Sequence, residues 1–322
     1  MVCISANAHT ATGCALLFGL VWAIDSPSGW CGRDAIAAQL LAAAGTPSDE
    51  VVLRLISSLF IALGALTFAA LQFLVAPYGR YSSDPAAAAY GFKMDSRVAW
   101  VLQECPCVFW VWRSVGEVPG GWAALAAPNR ALLGLFLLHY VNRTFVFPFR
   151  MRSGKPTPVG VCALAFLFCS LNGYLQCRAL CAPQFQLHGG PGGPDGGGSS
   201  SSDGAEHMRT PHFVAGVALF LGGLAVNWHS DHILMGLRQP GETGYKIPRG
   251  GAFELVSGAN FFGEIVEWAG FAVAAWSLPA LAFAVFTFCN IGPRAAQHHK
   301  WYQRKFGEAY PKHRCAVIPF LW

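Results

Sequence analysis

Polar and ionisable side chains recur at helical spacing inside otherwise apolar segments of this 322-residue chain. Asn260, Glu264 and Glu267 are separated by four and three residues, Asn227 and Asp231 by four, His298 and Tyr302 by four, and Tyr140 and Arg143 by three. Such spacings put side chains on one face of an α-helix. Arg238, eleven residues beyond Asn227, returns to within roughly 20° of the same face. Gln103 and Glu104 form a further polar pair, and His139, Asn142 and His229 join these segments.

An ionisable side chain at membrane depth costs about 2.5–3.5 kcal/mol on insertion scales. One carboxylate with one cation, or a lone Asn between helices, is ordinary structural glue. Four segments carrying matched polar faces need a shared reason, and a wet or ligand-filled cavity supplies it. Arg143, Arg150, Arg152, Lys155, Arg238, Lys246 and Arg249 gather at the ends of these segments on one side. Arg150 and Arg249 read as ordinary flanking cations. Arg143 lies too deep for that, and with Arg238 it fits a bound polyanion such as the phosphates of a nucleotide.

The elements that must hold these residues follow from composition. The chain is 54% hydrophobic and 12% charged, about half the roughly 25% charge of a soluble domain, so its outside is lipid. A membrane helix needs about 20 apolar residues to cross about 30 Å of hydrocarbon. Residues 55–75, 98–115, 131–149, 159–176, 213–234, 256–276 and 278–291 serve, with Ser277-Leu278-Pro279 separating the last two. The expected fold is an all-α membrane protein whose seven transmembrane helices enclose the cavity.

Residues 53–322 would form this domain. Residues 1–52 are read as an N-terminal extension, since no Lys or Arg precedes its apolar stretch at 11–24 as a cleaved signal requires. Residues 188–206, HGGPGGPDGGGSSSSDGAE, are too rich in Gly, Ser and Pro to bury anything and are expected to be a disordered insertion. Basic residues crowd the connections after helices one, three and five and the C-terminal tail, so that side is cytosolic and the C-terminus with it.

Other classes fit poorly. A net charge of +5 is spread between apolar segments, which is no nucleic-acid footprint. The 11 cysteines include no CxxC pair, which argues against a disulfide framework or a zinc site. His229-x-x-His232 and His298-His299 have no third histidine box, so no metal is expected. No strand precedes the Gly run, so it is not a dinucleotide fingerprint. A seven-helix receptor need not pack carboxylates and arginines at four helix ends, and a transporter would show internal repeats, which are not found here.

The run from Asn227, NWHSDHILMGLRQPGETGYKIPRGGAFELVSGANFFGEIVEWAG, and the tail RAAQHHKWYQRKFGEAYPKHRCAVIPFLW closely resemble the C-terminal half of the steroid 5α-reductases, the 3-oxo-5α-steroid 4-dehydrogenases. APYGRY, AWVLQE, LHYVNRTFVFPF and LNGYLQ resemble the same family in the same order. The resemblance implies a multi-pass endoplasmic-reticulum enzyme, expected to be monomeric, that uses NADPH to reduce the Δ4 double bond of a 3-oxo steroid or sterol. It places Gln103, Glu104 and Tyr140 at the C3 carbonyl, with Trp100 lining the pocket. Asn227, Asp231, Arg238, Tyr245, Lys246, Asn260, Glu264, His298 and Tyr302 would hold the dinucleotide, with Arg143 between the two.

The chemistry of these residues agrees. Conjugate reduction builds negative charge on the carbonyl oxygen, and donors aimed there lower the barrier. Tyr140 is a natural donor. Glu104 donates only when protonated, which low-dielectric surroundings favour. Two positions depart from the family: Phe147 stands where a tyrosine is common, and Leu164 where some members have arginine. Enoyl-CoA and polyprenol reductases share the hydride chemistry, but APYGRY and AWVLQE favour the steroid enzymes.

Overall fold

Apolar segments in lipid must satisfy their backbone internally, and helices do so within one segment. The computed structural model describes residues 49–82, 85–151, 154–182, 201–238, 242 and 244–322. Among them are seven long helices: α1 Asp49–Ala70, α2 Ser96–Glu117, α3 Ala127–Val141, α4 Val159–Cys181, α5 Pro211–Gly236, α6 Ala259–Ala275 and α7 Leu278–Phe306. The only sheet among the described residues is a two-stranded ribbon, β1 Lys93–Met94 antiparallel to β2 Thr157–Pro158, with Lys93 opposite Pro158 and Met94 opposite Thr157. It ties the loops before α2 and α4 together.

Five helices are long and apolar enough to cross a membrane: α1, α3 with its continuation to Arg150, α4, α5 and α7. The other two differ for identifiable reasons. The α2 sequence includes Arg97, Glu104, Arg113 and Glu117, and α6 is only 17 residues long. Both pack among the five.

Small residues set the closest approach. A Cβ on Gly223 would strike the backbone of Glu267, one on Gly263 the backbone of Asn227, and one on Gly216 that of Ala274, so α5 and α6 lie nearly backbone to backbone. Gly173 of α4 lies against Cys107 and Trp110 of α2 in the same way. Stacked rings join α1, α4 and α7, with Phe168 5.1 Å from Phe60 and 4.4 Å from Phe286. At one end of the bundle Arg178 of α4 pairs with Asp49 of α1 at 2.9 Å and with Glu117 of α2 at 3.5 Å.

The C-terminal segment clasps the loop before α6. Ser257 N donates to Cys315 O and Gly258 N to Ala316 O, both at 2.9 Å. Arg314, 3% exposed, donates to Pro248 O at 2.9 Å and pairs with Glu254 at 3.4 Å. The Gly250 N–H, and after it the Arg314 guanidinium, hold the Glu254 carboxyl below its ordinary range.

Several boundaries differ from expectation. The first helix begins at Asp49, inside the expected extension, where Asp49 and Glu50 complement the positive end of the helix dipole. Helix α7 runs fifteen residues past Ile291 to Phe306, through Pro293, and carries residues expected in a tail. Ser201–His207, the end of the Gly/Ser insertion and one residue more, is helical. Helix α5 stops at Gly236, so Arg238 does not share a helical face with Asn227 and Asp231. Residues 1–48, 183–200 and Arg152 lie outside the described residues.

Candidate active site

Two groups of the expected residues form, one within the bundle and one at the end where the loops meet α7.

The inner group centres on Arg143. Helix α3 ends at Val141 and widens into a π turn, Asn142–Val146, before a last turn, Phe147–Arg150. Such bulges re-aim side chains at functional sites. The Arg143 guanidinium lies 4.4 Å above both the Trp100 and Phe147 rings and donates to Asp231 Oδ2 at 3.2 Å. Glu264, Glu104 and Glu267 also lie within its electrostatic reach. Carboxyl groups from α2, α5 and α6 thus share one cation.

Around that cation the hydrogen bonds are directional. Asn172 Nδ2 donates to Tyr140 Oη at 3.1 Å, and Gln176 Nε2 donates to Asn172 Oδ1 at 3.2 Å. Cys169 Sγ donates to Glu104 Oε2 at 3.6 Å. His139 Nδ1 sits 2.7 Å from Glu267 Oε1, both side chains buried. Asn227 Nδ2 donates to Asn260 O at 3.0 Å, and the Asn260 side chain is bonded to Asp231. Gln103, rotated by about 100° from Glu104, joins none of these bonds.

The outer group is built from rings and guanidinium groups. Arg80, in the turn Gly79–Tyr81, lies 4.7 Å from each of the Trp301 and Tyr302 rings and 5.5 Å from Tyr245. Its Nη2 approaches Tyr302 Oη at 3.4 Å. Arg238 lies 5.8 Å over Tyr245, which packs edge-on against Trp301 at 4.8 Å. His298 stands between Tyr81 and Phe261, at 5.8 and 5.5 Å. Burial pushes the Tyr81 phenol above its ordinary range, against the opposing pull of Arg80. Lys246 is set apart, exposed and paired with Glu242 at 2.6 Å.

The residues suit a polar, anionic ligand with a planar part. Asn227 Oδ1, Ser230 Oγ, Thr144 Oγ1 and Arg80 Nη1 are buried with no hydrogen-bond partner among the described residues. Leaving such atoms unpaired costs roughly 1–3 kcal/mol each, and a nucleotide's hydroxyl, amide and phosphate groups would satisfy them. The ring faces and guanidinium groups of the outer group suit a base and its phosphates.

Several of these residues were outside the set expected from sequence. Arg80 reads as a flanking loop cation, and two of its ring partners, Trp301 and Tyr302, lie more than two hundred positions away. Asn172 and Gln176, four apart in an apolar span, carried a readable signal. His139 and Glu267 are already polar residues of their spans in the sequence, and only their pairing is a tertiary fact.

Residues 155–322 match the family described as 3-oxo-5-alpha-steroid 4-dehydrogenase. The chain is 49% identical over 260 residues to 3-oxo-5-alpha-steroid 4-dehydrogenase 1 of Mus musculus, covering 80% of this chain and 92% of that protein. It is 42% identical over 285 residues to the human protein of the same name, covering 88% of this chain and 100% of that one. With human 3-oxo-5-alpha-steroid 4-dehydrogenase 2 it shares 42% identity over 276 residues, covering 83% and 95%.

Proposed function

The chain belongs to the 3-oxo-5-alpha-steroid 4-dehydrogenase family, multi-pass membrane oxidoreductases acting on CH-CH groups, and from that premise we propose that it reduces the Δ4 bond of 3-oxo-Δ4 steroids to 5α-dihydro products with NADPH. When bound, NADPH supplies the hydride that C5 of the steroid receives, and a proton taken up at C4 from water or a nearby acid completes the reduction. Reduction of an enone builds negative charge on its carbonyl oxygen, so the protein's part is to meet that charge with donors already in place. Tyr140 and Glu104 take this role at the C3 oxygen, with Glu104 in its neutral form. Trp100, stacked on Arg143, walls the steroid side.

Arg143 joins the two halves of the site. Its guanidinium is stacked between two rings and largely shielded, and its bond to Asp231 holds it against α5. Asn227, Asp231, Asn260 and Glu264 would hold the polar part of the cofactor nearest the steroid. Arg238, Tyr245, His298 and Tyr302, with Arg80 added, would hold its base and phosphates, and Lys246 would stand at the outermost edge. All seven helices span the membrane in this reading, with α2 and α6 shielded by their neighbours. The basic end and the C-terminus face the cytosol from the endoplasmic reticulum.

One observation carries the proposal: Glu104 of α2, Asp231 of α5 and Glu264 of α6 meet around the Arg143 cation, and Tyr140 of α3 neighbours Glu104. Purified protein given NADPH and a panel of 3-oxo-Δ4 steroids is expected to oxidise the cofactor and form 5α-dihydro products, read by mass spectrometry against standards. No product from any steroid, together with no NADPH binding, contradicts it.

A further inference from the structure

Helix α4 contributes a polar face that the reaction, as described so far, does not use. Cys169, Asn172 and Gln176, at i, i+3 and i+7, share one side of the helix, and Asn172 and Gln176 are 0% and 1% exposed. We propose that Asn172 and Gln176 are positioning residues that fix the direction in which the Tyr140 hydroxyl donates, through a hydrogen-bond chain of fixed polarity anchored on the Pro279 carbonyl.

The polarity is set from the far end. The Pro279 carbonyl can only accept, so the Gln176 atom 3.0 Å from it is the amide nitrogen. That nitrogen carries two hydrogens, and the second is aimed at Asn172 at 3.2 Å. The Asn172 atom facing Gln176 must then be its oxygen, which turns its own amide nitrogen toward Tyr140 Oη at 3.1 Å. Each amide could be flipped alone, but the carbonyl at the end removes the choice for both.

Tyr140 therefore accepts from Asn172, and its single hydrogen is left for another acceptor. Its remaining polar neighbours include the thiols of Cys107 and Cys169 and the Glu104 carboxyl, which in the proposed reaction is itself a donor. The hydrogens of those thiols are committed elsewhere, Cys107 to Cys169 O at 3.2 Å and Cys169 to Glu104. A thiol sulfur is a weak acceptor, so a carbonyl oxygen entering the site outcompetes it. A donor oriented before the substrate arrives needs no reorganisation during the reaction, which is the advantage of a preorganised site. The anchor also has a structural logic: Pro279 lies in the first turn of α7, so the chain joins the start of α7 to α4 and α3.

This inference rests on the proposed role of Tyr140 as donor to the steroid carbonyl, and a mutant cycle separates the two. In purified full-length protein, Asn172→Leu is expected to lower kcat about tenfold, the effect of losing one buried hydrogen bond, with NADPH affinity within about twofold. In the Tyr140→Phe background the same substitution should cost less than about twofold, because there is no hydroxyl left to orient. Gln176→Leu should give a smaller loss of kcat that likewise vanishes in that background, and this second cycle decides the matter if Asn172→Leu does not fold. Equal losses in both backgrounds, or full kcat in Asn172→Leu, overturn the orienting role and leave the Tyr140 assignment standing. Parental kcat in Tyr140→Phe alone overturns the donor assignment and the orienting chain with it.

Discussion

The inner group is the richer in charged side chains and the outer group in aromatic rings, and the two are built in different ways. Inside the bundle the Arg143 stack is accompanied by directional hydrogen bonds between helices, as between Asn172 and Tyr140 or Arg143 and Asp231. At the outer end the contacts are ring faces and guanidinium groups drawn from a turn, a loop and the end of α7, as in Arg80 on Trp301 and Tyr302. A hydrogen bond fails with a small displacement, whereas stacking tolerates sliding. The inner region is thus suited to holding reacting atoms, and the outer to admitting and releasing a large ligand.

That contrast can be broken by substitution. Arg143→Leu should have the largest effect, because it removes the cation shared by Asp231, Glu104 and Glu264. Stranding one partner of a buried pair costs about 3–5 kcal/mol, so a large fall in the detergent melting temperature and loss of activity are expected. A variant with parental stability would mean that the inner charges are balanced in another way. Arg80→Ala should raise the KM for NADPH about tenfold, the equivalent of about 1.4 kcal/mol from lost stacking and charge, while kcat stays within about threefold. A fall in kcat with unchanged NADPH KM would erase the distinction between the regions. Lys246→Ala should do least, about twofold on NADPH KM, because the exposed pair with Glu242 is worth little.

The helical parts of the candidate site are legible in the sequence wherever a helix is continuous. Asn260, Glu264 and Glu267 on α6 and Asn227 and Asp231 on α5 follow from spacing alone, since 3.6 residues per turn fixes which side chains are neighbours. The same arithmetic failed for Arg238 because α5 ends at Gly236, and periodicity carries no information past a helix end. The expected span ends at Ile291, before Gly292-Pro293 and a charged stretch, whereas α7 accommodates that proline and continues to Phe306. Arg80 was invisible as a site residue because turns have no period. Asn172 and Gln176 were overlooked because two amides in an apolar span read as interhelical glue, and only the carbonyl of Pro279 reveals their direction.

The central claim is that the inner group performs the chemistry and the outer group holds the cofactor. Glu104→Leu, which removes the donor altogether, tests it most directly, with kcat for a 3-oxo-Δ4 steroid and the NADPH dissociation constant measured on the same preparation. The account predicts a fall in kcat of about 10²–10³-fold, the cost of losing one oxyanion donor, with NADPH affinity unchanged within about twofold. Parental kcat, or a loss of NADPH affinity that accounts for the whole defect, would contradict it.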